Sequence, residues 1–481
     1  MYLGLDLGTS GLRGLLIDGD GRAIGSAEAQ YDVAHPHRGW SEQDPAAWTE
    51  ATDEVMSALR AAHPEAVSAL KGIGISGHMH GATLIDDAGA VLRPCILWND
   101  TRSAAEAAAL DADPLMREVS GNIVFPGFTA PKLAWVAAHE PEVFGRVAKV
   151  LLPKDYLRFW LTGEAISEMS DSAGTSWLDT GARGWSDAAL GRTGMRRDQM
   201  PDLVEGAAPA GALRDDLRRK WGIAGEVVLA GGGGDNAAAA CGAGCLAEGT
   251  GFVSLGTSGV LLAARDSYAP DPATAVHTFC HAVPGRWYQM GVILAATDCL
   301  NWLSRATGQG AGDLASALPD RIEGPGALTF LPYLSGERTP HNDADVRGAF
   351  IGLDIAMGPE ALTRAVMEGV AFALKDSADA LAKTGARFDT MLAVGGGTRS
   401  AFWLETLATV LGQPLSLPKD GDFGAALGAA RLAIAAVTGA DPESFMTMPV
   451  IDRVIEPRAD LVAAYDAAHA RYRALYPALK V

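Results

Sequence analysis

LGTSG at Leu7–Gly11, inside YLGLDLGTSGLRGLLID, returns at Leu255–Gly259, inside TGFVSLGTSGVLLAAR. Apolar, alternating runs flank each copy, so each reads as strand, tight turn, strand. After the first copy, DGDG at Asp18–Gly21 is a hairpin signal and RAIGSAEA supplies a third strand. After the second, RWYQMGV does the same. Each half also contains a strand, a glycine turn and a helix in succession: EVVLAGGGGDNAAAACGAG in the first, TMLAVGGGTRSAFWLETLATVLG in the second. One plan used twice, half a chain apart, predicts a duplicated α/β fold with two related lobes. We place them at residues 1–245 and 246–481. A further hairpin is expected over ATLIDDAGAVLRPCIL, and helices from Pro45, over DYLRFWLTG and over PEALTRAVMEGVAFALKDSADALAKTG.

Bulk properties agree with a large globular protein. The chain has 481 residues, enough for two domains, with 48% hydrophobic and 20% charged residues. Lys+Arg 39 against Asp+Glu 58 gives a net charge of −19, with no basic stripe to attract nucleic acid or an anionic membrane. The five cysteines, Cys95, Cys241, Cys245, Cys280 and Cys299, are scattered and odd in number, as free thiols in a reducing cytoplasm are. No signal peptide or membrane span is read, so a cytoplasmic protein is expected.

The glycine turns point to phosphate. Asp6-Leu7-Gly8-Thr9-Ser10-Gly11 is not a dinucleotide fingerprint, because a strand rather than a helix follows it, and the chain has no Walker motif. What remains is a hairpin turn able to hold an anion by backbone N–H groups and hydroxyls. Asp6 ends an apolar strand, where a carboxylate needs a partner. Magnesium bound through water is one partner, and capping of its own turn is the other. Asp235, after Gly231–Gly234, is either a helix N-cap or a base at a cleft that takes a proton from an attacking hydroxyl. Gly395-Gly396-Gly397-Thr398-Arg399-Ser400 joins strand to helix and leaves room for a base or ribose. His78 with His80, and His277 with Cys280 and His281, lack the spacing of a tetrahedral metal site.

DLGTSG, the GGGDNAA turn, the second LGTSG and GGGTRSAFW, in this order, resemble the FGGY carbohydrate kinases. Six further stretches resemble the xylulose-phosphorylating branch of that family: WSEQDPAAW (Trp40–Trp48), GHMHGATLID (Gly77–Asp86), RPCILWNDTR (Arg93–Arg102), PGFTAPKLAWV (Pro126–Val136), LLPKDYLR (Leu151–Arg158) and FLPYLSGERTPHN (Phe330–Asn342). The resemblance implies a two-lobed actin-like, ribonuclease-H-like ATPase fold with the active site in the cleft between lobes. It implies ATP and Mg²⁺ as cofactors, D-xylulose as substrate and D-xylulose 5-phosphate as product. Asp235 is then the base, and Met79 and His80 lie against the sugar with Trp98, Asn99, Asp100 and Asn236. Asp6 stands near the metal and phosphates, and is expected to hold Mg²⁺ through water. Thr9 and Ser10 form the first phosphate turn, and Gly256, Thr257 and Ser258 the second. Gly396, Gly397 and Ser400 fall in the adenosine motif. A homodimer is compatible with the resemblance.

Two positions depart from the family pattern. Four glycines precede Asp235 where many relatives have three, and His78 stands where many have Gln. Other readings of the same motifs are a kinase for ribulose, L-fuculose or glycerol, or an actin- or Hsp70-like ATPase with no sugar acceptor.

Overall fold

Strand order follows from which apolar runs can be buried together. The computed structural model, which describes residues 1–419 and 424–479, has two mixed sheets of seven strands each. The first runs Pro209–Ala212, Val228–Ala230, Gly72–Gly77, Tyr2–Leu7, Gly11–Ile17, Ala23–Gln30, with Gly233–Gly234 also on the Gly72–Gly77 strand. The second runs Ile451–Ile455, Leu415–Pro418, Phe388–Val394, Gly249–Leu255, Gly259–Arg265, Trp287–Ile293, His277–Cys280. Both share three antiparallel strands beginning at an LGTSG hairpin, then two parallel neighbours, then an antiparallel one, and the second sheet adds His277–Cys280 as a fourth antiparallel strand. The duplication read from the repeated turn is therefore present in the topology.

Parallel pairing needs a crossover, and helices supply it. Pro45–Ala62, with Pro at its first turn and Asp44 accepting from the Ala46 N–H, lies between the third strand and Gly72–Gly77. Pro359–Lys383 occupies the equivalent place before Phe388–Val394. The alternating strand Tyr2–Leu7 buries Leu3, Leu5 and Leu7, and Gly72–Gly77 buries Ile73 and Ile75, in one core with Trp48, Val55 and Leu59 of the first crossover helix.

One helix crosses the sequence division. Ala425–Thr438, from the far end of the chain, lies on the first sheet. A Cβ at Gly4 would come within 1.8 Å of the Ala426 carbonyl oxygen, and one at Gly74 within 1.9 Å of that of Ala429. The same helix crosses Asp235–Ala243 so closely that a Cβ at Gly428 would meet the Ala238 carbonyl at 1.7 Å. The alanines and glycines of GAALGAARLAIAAVTG permit that approach.

The hairpin expected over ATLIDDAGAVLRPCIL does not form a ladder. Thr83–Ile85 pairs with Lys149–Leu151, and Cys95–Ile96 with Glu42–Gln43. The Asp86–Gly89 turn is present, and its arms meet at two isolated antiparallel bridges, Ile85–Val91 and Ala82–Ile96, with the Leu92 N–H donating to the Leu84 carbonyl at 2.9 Å. The distant partners bury these short apolar strands on both faces, which a local hairpin cannot do. All five cysteines are free and buried.

Candidate active site

Three parallel strands of the first sheet end side by side, and the candidate residues sit at their carboxyl ends, the usual ligand crevice of α/β sheets. In register, Leu7 pairs with Gly77, and Gly77 with Gly234. Asp6 therefore lies one residue before the edge, His78 to His80 follow it on the next strand, and Asp235 follows on the third. Positive φ at Gly232 (76°) makes the bend that brings the third strand there, and a Cβ at that position would sit 2.1 Å from the Ile75 carbonyl oxygen. Arg158 Nη1 donates to the Gly231 carbonyl at 2.5 Å, and the Gly234 N–H donates to Ser170 Oγ at 3.1 Å, so the glycine turn is held from below. That support belongs to a fully buried charge network in which Lys154 Nζ lies 2.6 Å from Asp155, 3.3 Å from Glu168 and 3.4 Å from Asp171.

Asp235 opens the helix Asp235–Ala243. Its Oδ1 accepts from the Asn236 N–H at 2.7 Å and from Asn236 Nδ2 at 2.8 Å. Asn236 thus orients the carboxylate. Burial, reinforced by the Asp6 charge, pushes its pKa up to about 6, despite the Asn236 hydrogen bonds. A carboxylate with that value is ionised at neutral pH yet basic enough to take a proton in a transition state. Burial also raises the pKa of Asp6, against the opposing pull of its hydrogen bond from Ser76 Oγ (3.1 Å) and of Arg13. Asp6 is a hard oxygen donor beside a phosphate-type turn, and an ion there would offset its burial, so these residues fit Mg²⁺.

Met79 and His80 come together with Asp235. The Met79 side chain lies against Gly234, where a Cβ would meet its Cγ at 2.9 Å, and Tyr288 from the second sheet reaches its sulfur at 3.9 Å. His80 stacks on Phe128, centroids 4.4 Å apart, and its Nδ1 is 2.8 Å from the Gly174 carbonyl. A carbonyl only accepts, so Nδ1 carries the hydrogen. Burial lowers the His80 pKa to about 3, which keeps the ring neutral. Nε2 is then a bare acceptor suited to a hydroxyl. His78 is buried edge-on to Trp48, 5.8 Å between centroids, and burial lowers its pKa to about 3 as well.

The Trp98–Asp100 loop is divided. Trp98 is half exposed, and its indole N–H donates to Thr9 Oγ1 at 3.0 Å, so it joins the first LGTSG turn. Asn99 is exposed. Asp100 is buried, and its carboxylate accepts from the Ser41 N–H (2.6 Å) and from Arg102 Nη2 (2.7 Å) and Nε (2.9 Å). It braces the loop. Arg102 in turn lies 3.6 Å over the Trp40 ring, which accounts for that tryptophan, while Trp48 donates to Gln43 at 2.9 Å in the core.

Carbonyls of both LGTSG turns are hydrogen-bonded to the protein. In the first, Gly8 O accepts from Tyr31 OH (2.7 Å), Thr9 O from Gln43 Nε2 (2.8 Å) and Ser10 O from the Tyr31 N–H (3.2 Å). In the second, Gly256 O accepts from Thr297 N–H (2.9 Å) and Oγ1 (2.8 Å), and Thr257 O from Ala296 N–H (2.8 Å). With oxygens turned into the protein, amides and hydroxyls are what each turn can offer an anion.

Gly396 and Gly397 form a short 3₁₀ turn beside the second LGTSG, where a Cβ at Gly397 would meet Leu255 Cβ at 2.7 Å. Ser400 caps the following helix, its Oγ accepting from Trp403 N–H at 3.3 Å. Gly396, Gly397 and Ser400 line a cavity of about 740 Å³ with Thr297 and Asn301. A second cavity, of about 480 Å³, is lined by Asn236, Ser254, Val394, Gly395 and Thr398. The Gly395–Ser400 turn thus borders both cavities, and Asn236, which lines the smaller one, is hydrogen-bonded to Asp235.

Family models of the N-terminal and C-terminal domains of the FGGY family of carbohydrate kinases match residues 1–242 and 251–437. The chain belongs to the FGGY family of carbohydrate kinases. Among FGGY relatives it is 46% identical to the xylulose kinase of Escherichia coli (strain K12) over 485 residues, covering 100% of this chain and 99% of that one. It is 45% identical to the xylulose kinase of Klebsiella pneumoniae, with the same coverage. The fold matches the crystal structure of a xyloylose kinase from Brucella ovis with a TM-score of 0.98, at 59% identity over 99% of each chain. Among the described residues, no helix is long and apolar enough to cross a membrane.

Several residues of this FGGY site escape a reading of the motifs. Phe128, Thr129, Lys132, Gly174 and Tyr288 all touch Met79 or His80. Lys132 had one legible signal: helical spacing puts it on the face of the buried Trp135 and Val136, an odd place for a lysine. Arg338 and His341, both in the FLPYLSGERTPHN stretch, have different surroundings. Arg338 lies 4.6 Å over the Phe125 ring, while His341 stacks on Tyr476 at 3.7 Å.

Proposed function

We propose that the protein is an ATP:D-xylulose 5-phosphotransferase. The observation that carries this reading is the convergence of Asp235, Met79 and His80 on adjoining strand ends, in a chain similar from end to end to xylulose kinases. The lobe of residues 1–245 holds the sugar, and that of residues 246–481 the nucleotide.

In this reading Met79 and His80 position the sugar, with His80 Nε2 accepting from a hydroxyl. Asn236 holds Asp235 so that its other oxygen faces the 5-hydroxyl. Asp235 takes the hydroxyl proton as that oxygen attacks the γ-phosphoryl group of ATP in line, and ADP leaves. Amides and hydroxyls of Thr9 and Ser10, and of Gly256, Thr257 and Ser258, hold phosphate oxygens. The 740 Å³ cavity at Gly396, Gly397 and Ser400 takes the adenosine. Asp6, through water, would hold a Mg²⁺ ion, whose contribution is to offset charge on the phosphates. Trp98 supports the first turn by fixing the Thr9 hydroxyl so that its hydrogen remains for a phosphate. Lobe closure on the sugar excludes water, the competing acceptor. The protein is taken to work in the cytoplasm.

A sugar panel with coupled ADP detection tests the reading. D-xylulose is expected to give the highest kcat/KM against ribulose, L-fuculose, gluconate and glycerol. Absence of D-xylulose phosphorylation would sink it, and ATP hydrolysis without any sugar acceptor would favour a partner-driven ATPase.

A further inference from the structure

We propose that Lys132 is a positioning residue for the substrate, its amine clamping the His80 backbone so that the imidazole presents Nε2 to a sugar hydroxyl. This rests on the sugar-kinase reading above and deepens it.

Lys132 lies in the first turn of the helix Thr129–His139 and is fully buried. Its Nζ donates to the His80 carbonyl at 2.8 Å and to the Gly127 carbonyl at 2.7 Å. Thr129 Oγ1 donates to the same His80 carbonyl at 3.1 Å. Phe128, the residue before this helix, stacks on the His80 ring. One helix start therefore grips His80 by its carbonyl from two sides and by its ring face. The grip has something to hold, because His80 has φ 71°, a left-handed conformation that a non-glycine residue adopts only when its surroundings impose it. Without the two donors, the carbonyl would be a buried acceptor with no partner, and the peptide would be free to rotate away. Rotation would swing Nδ1 off Gly174 and remove the reason for the tautomer.

The partners of Lys132 are carbonyl oxygens rather than a carboxylate. Burial accordingly brings its pKa down to about 7. A neutral amine still carries two N–H groups, one for each carbonyl, so the clamp holds in either charge state. Arginine offers no equivalent, because its planar fork cannot place one nitrogen between two carbonyls in the same volume.

The test is steady-state kinetics and sugar-binding calorimetry on the full chain, for wild type, Lys132→Met, His80→Ala and the double variant. Lys132→Met keeps the volume and removes the donors. It is expected to raise KM and Kd for the sugar about tenfold or more while leaving KM for ATP within about twofold, since the lost interaction acts on the sugar loop. If Lys132 works through His80, the double variant is no worse than His80→Ala alone. An unchanged sugar KM in Lys132→Met, or losses that multiply in the double variant, overturns the proposal. Should Lys132→Met not fold, Thr129→Val replaces it in the same cycle. A smaller, non-multiplying loss supports the clamp there, and a multiplying one overturns it. The assays use whichever panel sugar the wild type phosphorylates, so wild-type inactivity on D-xylulose breaks the substrate reading alone.

Discussion

The two LGTSG hairpins have the same five residues and different registers. In the first, Leu7 pairs with Leu12, leaving four residues in the turn. In the second, Leu255 pairs with Gly259, leaving three. The offset changes what stands across from the preceding residue. Asp6 faces Arg13 on one side and Ser76 on the other, whereas Ser254 faces Val260 and Val394. A carboxylate among polar neighbours can remain available to a cation and phosphates. A serine between valines has no such role and instead lines the inner cavity. The second turn is also drawn onto a helix, Thr297–Thr307, through Gly256 and Thr257, while the first is held by side chains, Tyr31, Gln43 and Trp98. Duplication thus supplied two similar turns, and flanking residues set them in different surroundings; in the proposed function they divide the work of holding phosphate. The first lies on the sheet edge that carries Asp235, and the second adjoins the cavities at Gly395–Ser400.

That division can be broken by substitution, most severely at the base. Asp235→Asn or Asp235→Ala should lower kcat by about 10²–10⁴-fold, with nucleotide affinity by calorimetry nearly unchanged. Near-normal turnover would leave the first lobe without its distinguishing group. At the paired positions, Asp6→Ala should cost about 10–100-fold in activity and shift the Mg²⁺ titration, while Ser254→Ala should cost no more than about threefold. Equal losses would mean the two turns are interchangeable after all. At the matched threonines, Thr9→Val should act mainly on kcat and Thr257→Val mainly on KM for ATP, each by about tenfold. Reversal of that pattern would exchange the assigned roles.

Acid sharpens the comparison, because the first strand end lies beside Asp235, the proposed base. With the Asp235 pKa near 6, kcat/KM should rise with pH through about 6 and level off above it. A profile flat down to pH 5 would argue against Asp235 as the base. The smallest effect is on stability. The folded-state pKa of Asp235, about 6, lies above its unfolded value, so stability falls as pH rises from the unfolded value through 6. Asp235→Asn should therefore add roughly 1–2 kcal/mol to unfolding free energy by urea titration above pH 6, and nearly nothing at pH 4. No gain at neutral pH would show that the carboxylate is better solvated than its surroundings imply.

Strands, turns and the duplication were legible because they depend on local spacing. Alternating apolar residues and glycine turns carry that signal whatever the rest of the chain does. Asp6, Met79, His80 and Asp235 were legible through their motifs. Phe128, Gly174 and Tyr288 were not, and Lys132 only as an odd lysine on a buried helix face, since each meets Met79 or His80 through a contact spanning dozens of residues or more. The expected hairpin over Ala82–Leu97 keeps its turn and two isolated bridges, while its continuous ladders are made with partners elsewhere in the chain.

Sequence alone determined that the protein has two related sheets, four glycine turns and an acidic residue beside only one of the repeated pair. Tertiary structure alone decided that the helix Ala425–Thr438 returns to the first sheet and packs on the helix that carries Asp235. It also decided that the two identical pentapeptides pair in different registers. Register and long-range packing follow from how much surface distant segments bury together, and no local pattern encodes that quantity.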